Sequence, residues 1–231
     1  MNNQAYLIAV AHALGPIVEE VVFTGGRVVQ EYLAVPAVRE PRVTEDADVI
    51  VEATTYAEYM AFGERLKARG FSQSANRNTP PYRWERKSLV LDVMPLDAEV
   101  LGFTNRWYRS GVATAEEIIL AESTRIKILD APHFLASKME AYGGRGGDDP
   151  YLSHDLEDLV SVISGRPDCV AEVKAAGPEL AGWLGSRLAS VFPHDRRIEL
   201  VAGHLSPTVP PGLADVVAER LSGLVNLAEA S

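Results

Sequence analysis

Asp46-Ala47-Asp48-Val49-Ile50-Val51-Glu52 decides how the rest of this chain is read. The run opens acidic and becomes β-branched and apolar, the composition of a strand with a buried far half. Side chains two apart on a strand leave the same face, so Asp46 and Asp48 project together. Like charges side by side are costly without a cation, and hard carboxylate oxygens suit Mg²⁺. Upstream, Val21-Val22-Phe23-Thr24 reads as a strand, Gly25-Gly26 as a tight turn, and Val28 to Leu33 as a helix. Such a turn lets a phosphate approach backbone N–H groups, and a following helix offers the anion its positive end. Downstream, Leu89-Val90-Leu91 is an apolar interior strand that reaches a third carboxylate at Asp92. If the two acidic strands are neighbours, Asp46, Asp48 and Asp92 converge. Converging acids can hold two divalent ions about 3.5–4 Å apart, an arrangement that clamps the attacking and leaving oxygens of phosphoryl transfer.

Outward from this centre, apolar spacing predicts a helix over Gln4 to Leu14, stopped by Gly15-Pro16, and another over Tyr56 to Arg69, stopped by Gly70. Pro36 and Pro41 mark a loop. Tyr82 to Lys87 and Leu89 to Met94 form two strands of a hairpin around Lys87-Ser88. Thr114, with Glu117 three residues on, has capping-box spacing and predicts a helix to Glu122. Arg125 to Leu129 is one more short strand. Pro132 leads a helix through Tyr142, and residues 143–150 are a glycine-rich break. Leu152 to Ile163, Val170 to Phe192 and Leu213 to Ala228 read as helices. Strands fill the first half and helices the second. The expected class is α+β, a small mixed sheet in a core over residues 1–105 and a helical C-terminal part over 106–231.

The 231 residues carry 47% hydrophobic and 23% charged side chains, which excludes disordered and fibrous classes. Twenty-two Lys plus Arg against 32 Asp plus Glu give a formal charge of −10, which argues against a surface that binds nucleic acid throughout. Cys169 stands alone, so neither an internal disulfide nor a cysteine zinc cluster can form. No Lys or Arg precedes Arg27, and the apolar stretch Ala5 to Val18 is too short for a bilayer. The expectation is a cytoplasmic protein with no membrane partner.

Phe23-Thr24-Gly25-Gly26, then Arg42-Val43-Thr44-Glu45-Asp46-Ala47-Asp48, then Leu91-Asp92-Val93 resemble the nucleotidyltransferase superfamily of the DNA polymerase β type. Phe134 to Ala141 with Lys138, the Arg145 loop, and His154-Asp155-Leu156-Glu157-Asp158-Leu159 resemble its AbiEii/AbiGii toxin group, in which a helix carries a lysine and the next an Asp-Leu-x-Asp-Leu element. The resemblance covers about residues 20 to 165. It implies that Asp46, Asp48 and Asp92 hold Mg²⁺ (or Mn²⁺), and that Gly25 and Gly26 meet the phosphates of a nucleoside triphosphate. Lys138 would reach the triphosphate, and Asp155 would orient Lys138 or help deprotonate the acceptor. An acceptor hydroxyl on tRNA, protein or a small molecule would attack the α-phosphorus, and pyrophosphate would leave. A toxin role with an antitoxin partner is implied in the same way. The alternatives are a degenerate fold that binds nucleotide or a protein without turnover, and an antibiotic-type small-molecule nucleotidyltransferase. Two departures stand out. Arg27 takes the place of a Ser or Thr after the glycines, and the stretch from Gly26 to Asp46 is long.

No Walker or Gly-x-Gly-x-x-Gly element is present, and the five histidines lack zinc-hydrolase spacing. Nine Lys or Arg residues between Arg65 and Arg109 (Arg77 and Arg83 among them) interleave with Tyr82, Trp84, Trp107 and Tyr108. The zone reads either as an RNA-end contact or as a solvated hairpin face. Asp158 reads as structural, paired with a basic residue.

Overall fold

Period-two and β-branched runs settle as six strands in the computed structural model, which describes residues 1–34, 42, 44–74, 76, 78–144, 149–206 and 208–229. They are β1 (Val21–Thr24), β2 (Ala47–Val51), β3 (Arg83–Arg86), β4 (Leu89–Pro95), β5 (Glu116–Ile119) and β6 (Arg125–Ile128), in the order β3-β4-β2-β1-β6-β5. β1 runs antiparallel to β2 and parallel to β6. β2 and β4 are parallel, and the hairpins β3-β4 and β5-β6 are antiparallel. All four residues of β1 are buried, as a central strand requires. The edges are charged, Arg-Trp-Glu-Arg in β3 and Glu-Glu in β5, which discourages pairing with another chain.

The chain forms two compact units, Met1–Val28 with Arg42–Asp130, and Val29–Pro41 with Ala131–Ser231. β5 and β6 belong to the sheet and so to the first unit. In the first unit α1 (Asn3–Leu14) starts at Asn2, whose side chain accepts from the Ala5 N–H, and stops at Gly15, held at φ 60°. It buries Tyr6, Leu7, Val10, Ala11 and Leu14. α2 (Tyr56–Ala68) is closed at its start by a reciprocal pair: the Glu58 N–H donates to Thr55, and the Thr55 N–H donates to the Glu58 carboxylate. Two short helices, α3 (Ala98–Leu101) and α4 (Tyr108–Ala113), complete the unit.

The expected helix from Thr114 to Glu122 is not formed. Thr114 ends α4, Glu117 lies in β5, and its carboxylate takes the Arg125 guanidinium at 2.6 Å. Cross-strand pairing of Ile118 with Ile126 and of Glu117 with Lys127 outweighs the local cap signal. The strands are joined through Ala121-Glu122-Ser123-Thr124, where the Thr124 N–H donates to the Ala121 carbonyl and Glu122 and Ser123 have φ of 59° and 58°. That is a type I′ turn built from residues that disfavour it.

In the second unit the chain segment ending at Ala34 meets α6 (His154–Gly165): the Ala34 N–H donates to the Gly165 carbonyl at 2.9 Å. α5 (Ala131–Gly144) is buried along most of its length, with Tyr32 and Phe134 rings 4.5 Å apart. The single helix expected over Val170 to Phe192 is two, α7 (Cys169–Ala175) and α8 (Pro178–Val191). Gly177 at φ 109° and Pro178, which lacks an N–H, break it. α9 (Arg197–His204), absent from the sequence reading, packs against α6 and α10 (Leu213–Asn226). Gly185 of α8 admits the backbone of α10, since a Cβ there would lie 2.7 Å from the Leu224 carbonyl oxygen. Arg220 of α10 donates to the Ile163 and Ser164 carbonyls at the end of α6. The expected Val28 to Leu33 helix is a 3₁₀ segment, Gly26–Tyr32. The Pro36–Pro41 loop, Val43, Arg77 and the Arg145 loop lie outside the described residues. No helix among those described is long and apolar enough to cross a membrane.

Two predictions follow from local chemistry. Replacing Glu122-Ser123 by Asn-Gly relieves two positive-φ residues, and urea unfolding should show a gain of about 0.5–1 kcal/mol. His204 is buried, its Nε2 has no partner among the described residues, and burial holds its pKa below the usual 6.5. Below that value the unfolded chain takes up a proton that the folded chain refuses, so stability falls as pH drops below about 6.5. His204→Gln should flatten that slope in denaturation followed between pH 7 and 5.

Candidate functional site

Strand register alone aligns four side chains across the sheet. Thr24 of β1 pairs with Asp48 of β2, Asp48 with Asp92 of β4, and Asp92 with Arg83 of β3. Directly paired residues share a face, so the row presents Asp48, Asp92 and Arg83 side by side. Asp46 stands one residue ahead of β2. Arg83 gathers the acids: Nε donates to Asp92 Oδ1 at 2.8 Å, and Nη2 donates to Asp92 Oδ2 at 2.7 Å and to Asp46 Oδ2 at 2.5 Å. Asp92 is 4% exposed. Its burial pushes the carboxyl above the usual range, while the two-pronged contact with Arg83 pulls it back. The same contact raises the arginine's own pKa.

Gly25 closes the row on the β1 side. Its φ is 80°, and a Cβ there would lie 1.9 Å from Asp48 Oδ2. Only glycine admits the Asp48 carboxylate at this position, a tertiary reason for the first glycine of the pair.

Arg27 answers the first departure from the family pattern. It is neither a surface residue nor a contact poised in solvent, but 3% exposed. Its guanidinium stacks 3.4 Å from the Tyr6 ring centroid, donates through Nε to the Asp46 carbonyl at 2.9 Å and through Nη1 to Asn3 Oδ1 at 3.2 Å, and reaches the Thr44 carbonyl. Burial lowers its pKa, yet a guanidinium stays charged. Arg27 thus ties the approach to β2 onto α1 and sets where Asp46 stands.

The sequence reading missed Arg83, placing it in a basic zone. The signal was present: a two-residue turn at Lys87-Ser88 pairs Arg86 with Leu89 and therefore Arg83 with Asp92. Most of the zone is otherwise engaged. Arg65 pairs with Glu20, Lys67 with Glu64 and Arg109 with Asp97, while Arg69 and Arg86 both donate to the Ala13 carbonyl. The first three pair with acids at the surface, and Arg69 and Arg86 anchor the end of α2 and the hairpin to α1. A cavity of about 560 Å³ opens where β1 begins and β2 ends, lined by Glu19, Glu20, Glu52, Arg65 and Lys127, away from the acidic row.

The second unit holds its own buried charge cluster. Lys138 of α5 donates to Asp158 Oδ2 at 2.6 Å and meets Asp155 Oδ1 at 3.4 Å, both on α6. Lys138 is 9% exposed, Asp155 4% and Asp158 3%. Asp158 has the basic partner expected of it.

Oxygen-only donors at Asp46, Asp48 and Asp92 are the chemistry Mg²⁺ prefers. Among the described residues, however, no group of three or more acidic, histidine or cysteine side chains is arranged to hold a metal. The cation at the centre of this site is Arg83.

No family model matches the chain, and no curated protein matches it in sequence. Among solved structures it is similar to an antigenic nucleotidyltransferase-like protein from Paracoccidioides brasiliensis, at 16% identity and a TM-score of 0.47, over 83% of this chain and 96% of that one. A likeness of that degree assigns no activity.

Two substitutions probe these clusters. Arg27→Met should cost about 2–4 kcal/mol in urea unfolding, because three acceptors lose a charged donor. Lys138→Met should cost about 3–5 kcal/mol, because it takes the ammonium away from two buried carboxylates; Lys138→Met with Asp158→Asn should recover part of that loss.

Proposed function

We propose that this chain is a nucleotidyltransferase, moving a nucleoside monophosphate from a nucleoside triphosphate to an acceptor hydroxyl. The observation that carries the reading is the row of Asp48 beside Asp92 on adjacent parallel strands, with Asp46 drawn to the same guanidinium and Gly25 packed on Asp48. Asp46, Asp48 and Asp92 would hold Mg²⁺ or Mn²⁺, which would supply neutralising charge to the phosphates and lower the pKa of the acceptor hydroxyl. Gly25 and Gly26 offer backbone free of side-chain bulk to a phosphate. Arg27 fixes the backbone at Asp46, so that carboxylate enters the row from a rigid base. Lys138 is assigned to the triphosphate and Asp155 to orienting it, on the resemblance to the AbiEii group and on their 3.4 Å contact. A tRNA acceptor, a toxin role and an antitoxin partner belong to the same reading and rest on that resemblance.

A second reading has one observation in its favour. Arg83 already neutralises Asp46 and Asp92, as a site that binds nucleotide without turnover would allow.

Incubation with each labelled nucleoside triphosphate, Mg²⁺ and total RNA separates them. Transfer of label to RNA is the expected result. Asp48→Ala should lower it by about 10²–10³-fold while circular dichroism stays unchanged. Nucleotide binding without transfer to RNA, protein or aminoglycoside-type acceptors would establish the second reading instead.

A further inference from the structure

We propose that Arg83 is a resident counter-cation of the acidic row, competing with divalent metal for Asp46 and Asp92, so that metal binds only as the guanidinium swings away. The inference rests on the nucleotidyltransferase reading and adds a gate to its site. Three features carry it. The contacts are complete, because Nε and Nη2 occupy both Asp92 oxygens and one Asp46 oxygen, the atoms a metal would need. A divalent ion on the same oxygens would stand against the guanidinium, like charge beside like, so each cation weakens the other's hold.

Second, exchange is mechanically simple. The Arg83 backbone is locked to β4 by the Arg83–Asp92 register, whereas its side chain is 29% exposed and has rotamer freedom. β3 is a strand of only four residues at the end of the sheet order, and Ser72 bridges its backbone at Glu85, which leaves the Arg83 side chain to move while the strand stays in place. Third, desolvation sets the need for an occupant. Asp92, at 4% exposure beside Asp46 and Asp48, cannot be left ionised without a positive neighbour. Arg83 meets that need in the empty site and gives up its place to an incoming ion. A guanidinium released beside the row is suited to phosphate oxygens of the arriving nucleotide.

The test needs no turnover. Mn²⁺ binding to the full chain, without nucleotide, is measured by the electron paramagnetic resonance of free manganese for the wild type, Arg83→Gln and Arg83→Lys. Removing a competitor raises apparent affinity by the inverse of the fraction of time the site was open, so with Arg83 in place about nine-tenths of the time or more, Arg83→Gln should bind Mn²⁺ about tenfold or more tightly than the wild type. Arg83→Lys, a point charge that cannot hold both Asp92 oxygens, should fall between, and it decides the matter if the glutamine variant does not fold. Equal or weaker Mn²⁺ binding in the variants overturns the gate while leaving the metal site standing. No Mn²⁺ binding in any of the three chains overturns the metal site itself, and the gate with it.

Discussion

A carboxylate on the buried face of a sheet must meet a positive charge, and here the partner of Asp92 is an arginine one strand away. That single requirement organises the first unit. β3 has to pair with β4 so that Arg83 stands opposite Asp92, and β2 has to lie on the other side of β4 so that Asp48 extends the row. The Arg83 fork then reaches Asp46 just ahead of β2. Remove the pairing and three acids are left crowded on one end of a sheet, with Asp92 out of reach of water.

Arginine recurs as the structural cation of this chain, in different roles. Arg27 is buried against Tyr6 and bonds to backbone carbonyls, so it shapes the path into β2. Arg69 and Arg86 converge on the Ala13 carbonyl at the end of α1, and Arg220 closes the end of α6. The planar fork suits such multiple acceptors better than an ammonium does. In the second unit Arg197 is buried in the same manner, and Lys138 joins it as a buried cation held between Asp155 and Asp158, where one nitrogen serves two carboxylates from a single helix face. An acidic protein thus places part of its positive charge inside or at anchors.

Where local signals failed, a longer-range interaction had prevailed. Thr114 and Glu117 have the spacing of a helix cap, but the ladder with β6 claims Glu116–Ile119. The helix expected across residues 170–192 has continuous apolar spacing, and Gly177-Pro178 was the breaker that outweighed it. The glycine-led helix after β1 is tightened to a 3₁₀ segment, whose residues through Tyr32 and Ala34 are drawn to α5 and α6. Arg83 was legible in principle, because hairpin register is simple arithmetic once the turn is placed.

By itself the sequence determined the strands around Asp48 and Asp92, the Gly25 turn and the helical second half. These follow from period, turn chemistry and charge, which are local properties. Only the tertiary structure decided that β2 lies beside β4 and so brings Asp46 within reach of Arg83, that Arg27 is buried, and that Gly25 must be glycine because Asp48 fills its place. Each of these depends on which strands become neighbours, and neighbours in a sheet are chosen by burial and register across the whole chain.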